Sequence, residues 1–268
     1  MGAWSVTKAK TATDCPWKFR QQYIDRIKMD PDDQGPVDDS KLRIGSAVHS
    51  YAEGVAKGKA RDLIARRAIK AQKLVGDELD AFEAMKENVH EFETRIDAFK
   101  AKHNVTDDTA EKKIAINADL GPSDYWDDDT ILRGAMDRRL VIGDRHKIII
   151  DHKTGAVATL KYSREQLAAY TLMGMCQDPQ IEMVHPVLHF VQEGELLWGD
   201  KEHRTSDFLS ASNPIIKYIN DAAETVESDD IHTGKYCDWC VYKAPCVEER
   251  KNRRKIPEGR YSARFVKD

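Results

Sequence analysis

The sequence predicts an α/β fold: a mixed central β-sheet flanked by helices, preceded by a mainly helical N-terminal region. Two observations carry this prediction. Through the first 105 residues apolar side chains recur at spacings of three and four, whereas from Glu111 onward they fall in short runs with the alternation of strands. The order of segments is then helices, a meander, a helix and more strand, which places helices against a sheet.

Residues 5–29 read as helical, with Thr13 or Asp14 available as a cap and Pro16 suited to a first helical turn. Met29–Ser40 (MDPDDQGPVDDS) is a polar loop rich in Pro, Gly and Asp. Helical patterning resumes over 42–57, 60–75 and 78–102. The last of these carries Leu79, Phe82, Met85, Val89, Phe92, Ile96 and Phe99 as one apolar stripe, assigned to packing. Strands follow at 111–117, 131–142 and 147–153, the second and third joined at Gly143-Asp144. Thr154-Gly155 breaks the third strand, 162–176 is a helix, 185–192 and 195–199 form a hairpin, and 208–226 is a final long helix. The chain reads as one domain over 1–268: a helical region to 105, sheet and helix over 106–200, then a C-terminal helix, a cysteine group and a basic tail.

A chain of 268 residues can bury a sizeable core, and 41% hydrophobic with 33% charged residues suits a soluble globular protein. No apolar run approaches the roughly 20 residues that span a bilayer. The N-terminus lacks a signal-peptide pattern, and Val6 stands where a myristoylation motif needs Ser or Thr. The expected location is the cytoplasm, with no membrane partner. A net charge of −4 does not by itself indicate a nucleic-acid binder. Its distribution is more telling: Arg250, Lys251, Arg253, Arg254, Lys255, Arg260, Arg264 and Lys267 stand against the single acid Glu258.

The strands at 131–142 and 147–153 carry the chemistry. Asp151 and Lys153, two apart on one strand, project to the same side, and the hairpin can bring Asp137 beside them. Phosphodiester hydrolysis requires an activated water, a neutralised phosphate and a stabilised leaving oxygen. Mg²⁺ or Mn²⁺ held by a few carboxylates supplies all three. The alternative reading pairs Asp137 with Arg138 or Arg139 and leaves Asp151 merely ending a strand.

Further matches surround this set. G-x-x-D-R at Gly134 to Arg138, I-I-D-H-K-T-G at Ile149 to Gly155 and Q-x-x-x-Y at Gln166 to Tyr170 together resemble the RecB-type branch of the PD-(D/E)XK nuclease superfamily. The resemblance implies a restriction-endonuclease-like core, with Asp137 and Asp151 as metal-binding acids and Lys153 as the catalytic lysine. It implies the backbone carbonyl of His152 as a further ligand, and Gln166 and Tyr170, on one helical face, near the active site and DNA. Gly45-Ser46-Ala47-Val48-His49 matches the family's G-x-x-x-H, which implies that His49 completes the metal site. Glu53 and Glu111 are weaker candidates, better read as ion-paired or solvated.

Cysteines stand at 15, 176, 237, 240 and 246. Cys237-x2-Cys240-x5-Cys246 is a metal-type cluster in a cytosolic protein, Cys15 is the best fourth ligand, and Cys176 reads as a buried thiol. Zinc and a [4Fe-4S] cluster both accept four thiolates, but the second C-x-x-C or C-x-x-H of a zinc ribbon is absent. One N-terminal cysteine followed by this C-terminal group resembles the iron–sulfur nucleases of the same branch, including the AddB nuclease domain and the CRISPR adaptation nucleases. That implies a structural cluster joining the N- and C-terminal segments, in preference to zinc.

The resemblance implies a metal-dependent deoxyribonuclease, an exonuclease on single-stranded DNA or DNA ends, in phage or bacterial recombination, repair or CRISPR adaptation. With no G-x-x-x-x-G-K-[ST] motif, unwinding would fall to a helicase or recombination partner. The alternative is a non-catalytic DNA-binding or assembly subunit with the same fold. A zinc-stabilised RNA-binding protein would leave the acidic-lysine set unexplained.

Overall fold

The computed structural model describes residues 2–30, 39–156, 164–178, 180–198, 203–204 and 213–254. In chain order the helices are α1 (Val6–Asp14), α2 (Pro16–Phe19, continued by a π turn over Arg20–Ile24), α3 (Ser40–Ala56), α4 (Arg61–Gln72), α5 (Asp77–Lys102), α6 (Arg164–Cys176), α7 (Pro214–Thr225) and α8 (Lys243–Arg254). The strands are β1 (Val105–Asn117), β2 (Thr130–Ile142), β3 (His146–Lys153), β4 (Met183–Phe190), β5 (Glu195–Trp198) and β6 (His203–Arg204). The chain divides into two compact units, one of residues 1–6 and 39–219, the other of 7–38 and 220–268.

The first unit holds a mixed sheet in the order β1-β2-β3-β4-β5, with β6 pairing β4. Neighbours are antiparallel except β3 and β4, which run parallel with α6 as their crossover. The α5 stripe meets the sheet, where Phe92 and Ile96 pack on Leu140, Ile148, Ile150 and Val187. Its earlier part packs with α3 and α4 through Phe82, Met85, Val89 and Tyr51. From Ala169 to Cys176 every residue of α6 is buried, which its nearly uninterrupted apolar and small residues allow.

The predicted elements are observed in the predicted order, but 208–226 is not the final helix: β6 and α8 are additional, and the differences have local causes. β1 begins at Val105, six residues before the expected start, because Asp107 and Asp108 pair with arginines of β2 instead of burying apolar side chains: Asp108 Oδ2 accepts from Arg138 at 2.9 Å and Asp107 Oδ2 from Arg139 Nε at 3.2 Å. Alternation of hydrophobicity cannot reveal a strand built on ion pairs. The expected helix over 208–226 is seen from Pro214; 208–212 lie outside the described residues, as do 162–163 of the helix before it and 255–268 of the basic tail. The tail's first residues form the end of α8, which has no long apolar stripe to announce it.

In the second unit the N-terminal helix is interrupted at Cys15. The residue before a proline is pushed toward extended backbone, and Cys15 has φ −162° and ψ 103°. Its Sγ, not Thr13 or Asp14, caps α2 by accepting the Lys18 N–H at 3.5 Å. Trp17 N–H donates to the Asp230 carbonyl at 3.0 Å, and Tyr242 Oη donates to the Ile27 carbonyl at 3.0 Å. Cys15, Trp17 and Tyr242 form this unit's buried cluster, with Tyr236, Ile231, Cys240 and Cys246 packed against it.

Candidate active site

The register of the β1–β2 ladder sets the site. Ala110 lies opposite Arg138 and Lys112 opposite Met136, so Glu111 stands at the level of Asp137. Glu111 has φ +53°, a left-handed conformation that costs a non-glycine residue about 1–2 kcal/mol. The β2–β3 ladder ends at Arg138 and Ile150. One residue beyond, the Asp137 carboxylate takes the place of a backbone carbonyl: its Oδ2 accepts the His152 N–H at 2.6 Å. Its Oδ1 lies 3.3 Å from Nδ1 of His49 on α3. His49, Glu111 and Asp137 each offer a donor atom within 4.8 Å of the others, the only such trio of His, Cys, Asp or Glu among the described residues.

Asp151 and Lys153 form the neighbouring half. Lys153 Nζ lies 2.6 Å from Asp151 Oδ2 in a close ion pair. The same ammonium donates to Gln166 Oε1 at 2.6 Å, and Gln166 Nε2 donates to the Tyr170 hydroxyl at 2.9 Å. The Tyr170 ring lies over Gly134, where a Cβ would come within 2.7 Å of it. Thus the glycine of G-x-x-D-R makes room for the tyrosine of Q-x-x-x-Y.

Burial and mutual repulsion govern the carboxyls. Burial pushes Asp151 up to about 6, Lys153 opposing and Asp137 reinforcing it. Burial also raises Glu111, with Asp137 and Glu53 adding to the effect. Asp137 goes the other way: burial alone would raise it, but the hydrogen bond and charge of His49 and the His152 N–H hold it below the usual carboxylate range. His49 is correspondingly raised, because Asp137 outweighs the effect of burial. A cation bound among these acids would offset their mutual repulsion.

All of the sequence-identified residues of this set lie in the first unit, in two linked groups. His49 and Asp137 are in direct contact, and Asp151, Lys153, Gln166 and Tyr170 form a chain beside them. Asp151 is not part of the 4.8 Å trio. The His152 main chain touches Asp137, while its ring places Nδ1 2.9 Å from Nδ1 of His189 and lies edge-on to the His49 ring, centroids 6.2 Å apart. Glu111, read from the sequence as ion-paired or solvated, instead completes the trio; its left-handed backbone and its position opposite Asp137 have no sequence signature. Glu53 pairs with Lys57. The alternative pairing of Asp137 with an arginine is not what forms: Arg138 donates to Glu93 at 2.9 Å and to Asp108, and Arg139 to Asp107.

In the second unit Cys15, Cys237, Cys240 and Cys246 line one cavity of about 210 Å³, together with Trp17 and Tyr236. All four thiols are free, and they contain no trio at the 4.8 Å spacing of a mononuclear site. Gly234 N–H donates to Cys237 Sγ at 3.4 Å. Cys176 is buried in α6, which pushes its thiol up to about 11.

No helix among the described residues is long and apolar enough to cross a membrane. No curated protein sequence matches the chain significantly. Among solved structures the chain is similar to the crystal structure of a "Putative exonuclease" from Eubacterium rectale, at 12% identity over 99% of this chain and 90% of that one, with a TM-score of 0.45. It is also similar to the structure of SSO0001, at 12% identity over 76% of this chain and 92% of that one, with a TM-score of 0.36. The family model described as PD-(D/E)XK nuclease superfamily matches residues 3–247. With that match spanning nearly the whole chain, and with a mixed sheet flanked by helices in the restriction-endonuclease-like manner, the chain belongs to the PD-(D/E)XK nuclease superfamily.

Proposed function

We propose that the chain is a metal-dependent deoxyribonuclease, an exonuclease acting on single strands or free ends of DNA. The observation that carries this reading is the convergence of His49, Glu111 and Asp137 at metal-ligand spacing beside the Asp151–Lys153–Gln166–Tyr170 chain. Carboxylate oxygens with one imidazole suit Mg²⁺ or Mn²⁺. Held by these residues, such an ion would supply charge neutralisation at the phosphate and would lower the pKa of the attacking water.

The protein's own groups do the rest. Asp137, fixed by His49 and by the His152 N–H, presents a carboxylate to the metal position, and Asp151 adds a second acid. Lys153 holds a donor toward the attacking water and the scissile phosphate, and Gln166, itself braced by Tyr170, aims the ammonium. The reading extends to a [4Fe-4S] cluster held by Cys15, Cys237, Cys240 and Cys246. Its support is the single cavity that these four residues line together. Such a cluster would be a structural staple within the second unit, its binding energy contributing to folding. The setting we propose is phage or bacterial recombination, repair or CRISPR adaptation in the cytoplasm, any unwinding being left to a helicase partner.

The test is cleavage of end-labelled single- and double-stranded DNA with Mg²⁺ or Mn²⁺ by wild type, Lys153→Ala and Asp151→Ala. Wild type should cut and both variants should lose at least about 100-fold, the scale of a positioned proton-transfer or charge group. Activity surviving both substitutions would sink the site assignment. An inactive, metal-loaded wild type that still binds DNA would favour the non-catalytic subunit.

A further inference from the structure

A pair of buried histidines stands behind the metal trio. On the β2 side the His152 main chain has lost its ladder partner, because the β2–β3 ladder stops at Arg138 and Ile150, and its N–H is held by the Asp137 carboxylate at 2.6 Å. The aim of that N–H therefore depends on what fixes His152. Its ring is buried, lies edge-on to Phe92 and has His189 Nδ1 2.9 Å from its own Nδ1. His189 is held more rigidly: it is buried, paired with His152 across the parallel β3–β4 ladder, and stacked on Phe92 at 4.3 Å with 15° between the planes. The two rings meet Nδ1 to Nδ1, one donating and one accepting.

Resting on the metal-site reading above, we infer that His189 is a positioning residue: by gripping the His152 ring it fixes the main-chain N–H that turns Asp137 toward His49 and the metal. The path runs from β4 through His152 to Asp137 and His49 by contacts of 2.9, 2.6 and 3.3 Å. None of the groups in it other than Asp137 and His49 belongs to the trio. Hydrogen-bond partners of this kind behind a ligand typically change metal affinity by about 10–100-fold.

The experiment titrates the full-length protein with MnCl₂, reading free Mn²⁺ by electron paramagnetic resonance, with thermal unfolding and cleavage kinetics in parallel. His189→Leu should bind Mn²⁺ about 10–100-fold more weakly and lower kcat with little change in KM for DNA. His189→Asn, which keeps a donor and an acceptor near the Nδ1 position, should stay within about threefold of wild type. The double variant His152→Phe/His189→Leu removes both polar rings, which restores stability because no buried nitrogen is orphaned, yet its Mn²⁺ affinity should remain weak. A folded His189→Leu with wild-type affinity would overturn the proposal, as would a double variant whose affinity returns with its stability. Should His189→Leu fail to fold, the contrast between His189→Asn and the double variant decides. Absence of Mn²⁺ binding by wild type would overturn the metal-site reading itself and this proposal with it.

Discussion

Replacing Gly134 by alanine probes how the fold serves the site. A Cβ at this position would lie 2.7 Å from Cε1 of Tyr170 and 3.2 Å from Cε of Met173. Carbon atoms rest about 3.5–4.0 Å apart, so the ring must retreat by roughly 1 Å; the methionine can yield, but the tyrosine is buried and tied to Gln166. A retreat of that size stretches the 2.9 Å contact between Gln166 Nε2 and the Tyr170 hydroxyl beyond hydrogen-bonding range and frees the amide that aims Lys153. The demand is steric and not conformational, because Gly134 does not lie at positive φ. Overpacking of this kind costs about 1–3 kcal/mol, which for a protein of this size lowers Tm by roughly 2–10 °C. Thermal unfolding of Gly134→Ala, Tyr170→Ala and the double variant checks it: the double should be less destabilised than the sum of the singles by about 1 kcal/mol or more. Additivity within about 0.5 kcal/mol, or a Gly134→Ala variant as stable as wild type, would refute the steric argument.

Glu111→Gly should raise the stability of the metal-free protein by about 1 kcal/mol, since glycine accepts the left-handed backbone, while weakening Mn²⁺ binding at least about tenfold; calorimetric titration and melting together read the opposed signs. Lys147 is buried, donates to the Gly174 carbonyl at 2.8 Å, and is brought down to about 8 by burial. Between that value and the unfolded lysine value near 10.4 the unfolded chain holds a proton that the folded one lacks, so stability should rise with pH across this window, by at most about 3 kcal/mol. Denaturant unfolding from pH 7.5 to 10 checks the rise, and Lys147→Met should remove it. The proposed [4Fe-4S] cluster predicts a broad visible absorbance in the anaerobically purified protein that Cys240→Ala loses together with solubility; a well-folded, colourless and fully active variant would remove the cluster from the account.

The motif residues converge in the fold, and the local part of that convergence was legible because each pair is oriented by its own element. Asp151 and Lys153 are two apart on a strand, and Gln166 and Tyr170 four apart on a helix, so regular geometry alone orients each pair. The element order was legible for the same reason, since hydrophobic period reports secondary structure directly. What escaped were structures made by pairing across long separations. The first residues of β1 hold their place by ion pairs between Asp107, Asp108 and two arginines about 30 residues away, and Cys15 caps α2 through a sulfur that propensity would not nominate.

By itself the sequence determined that a carboxylate–lysine set lies at the end of an apolar strand, that a histidine and a glutamine–tyrosine pair flank it, and that cysteines mark both ends of the chain. The tertiary structure alone decided which acids meet. The β1–β2 register and a left-handed turn at Glu111 bring that residue, not Asp151, into the trio with His49 and Asp137. The parallel pairing of β3 with β4 sets His189 against His152. Strand register and crossover topology are properties of the packed sheet as a whole, fixed by the burial of α5 and α6 against it, and no local window of sequence contains them.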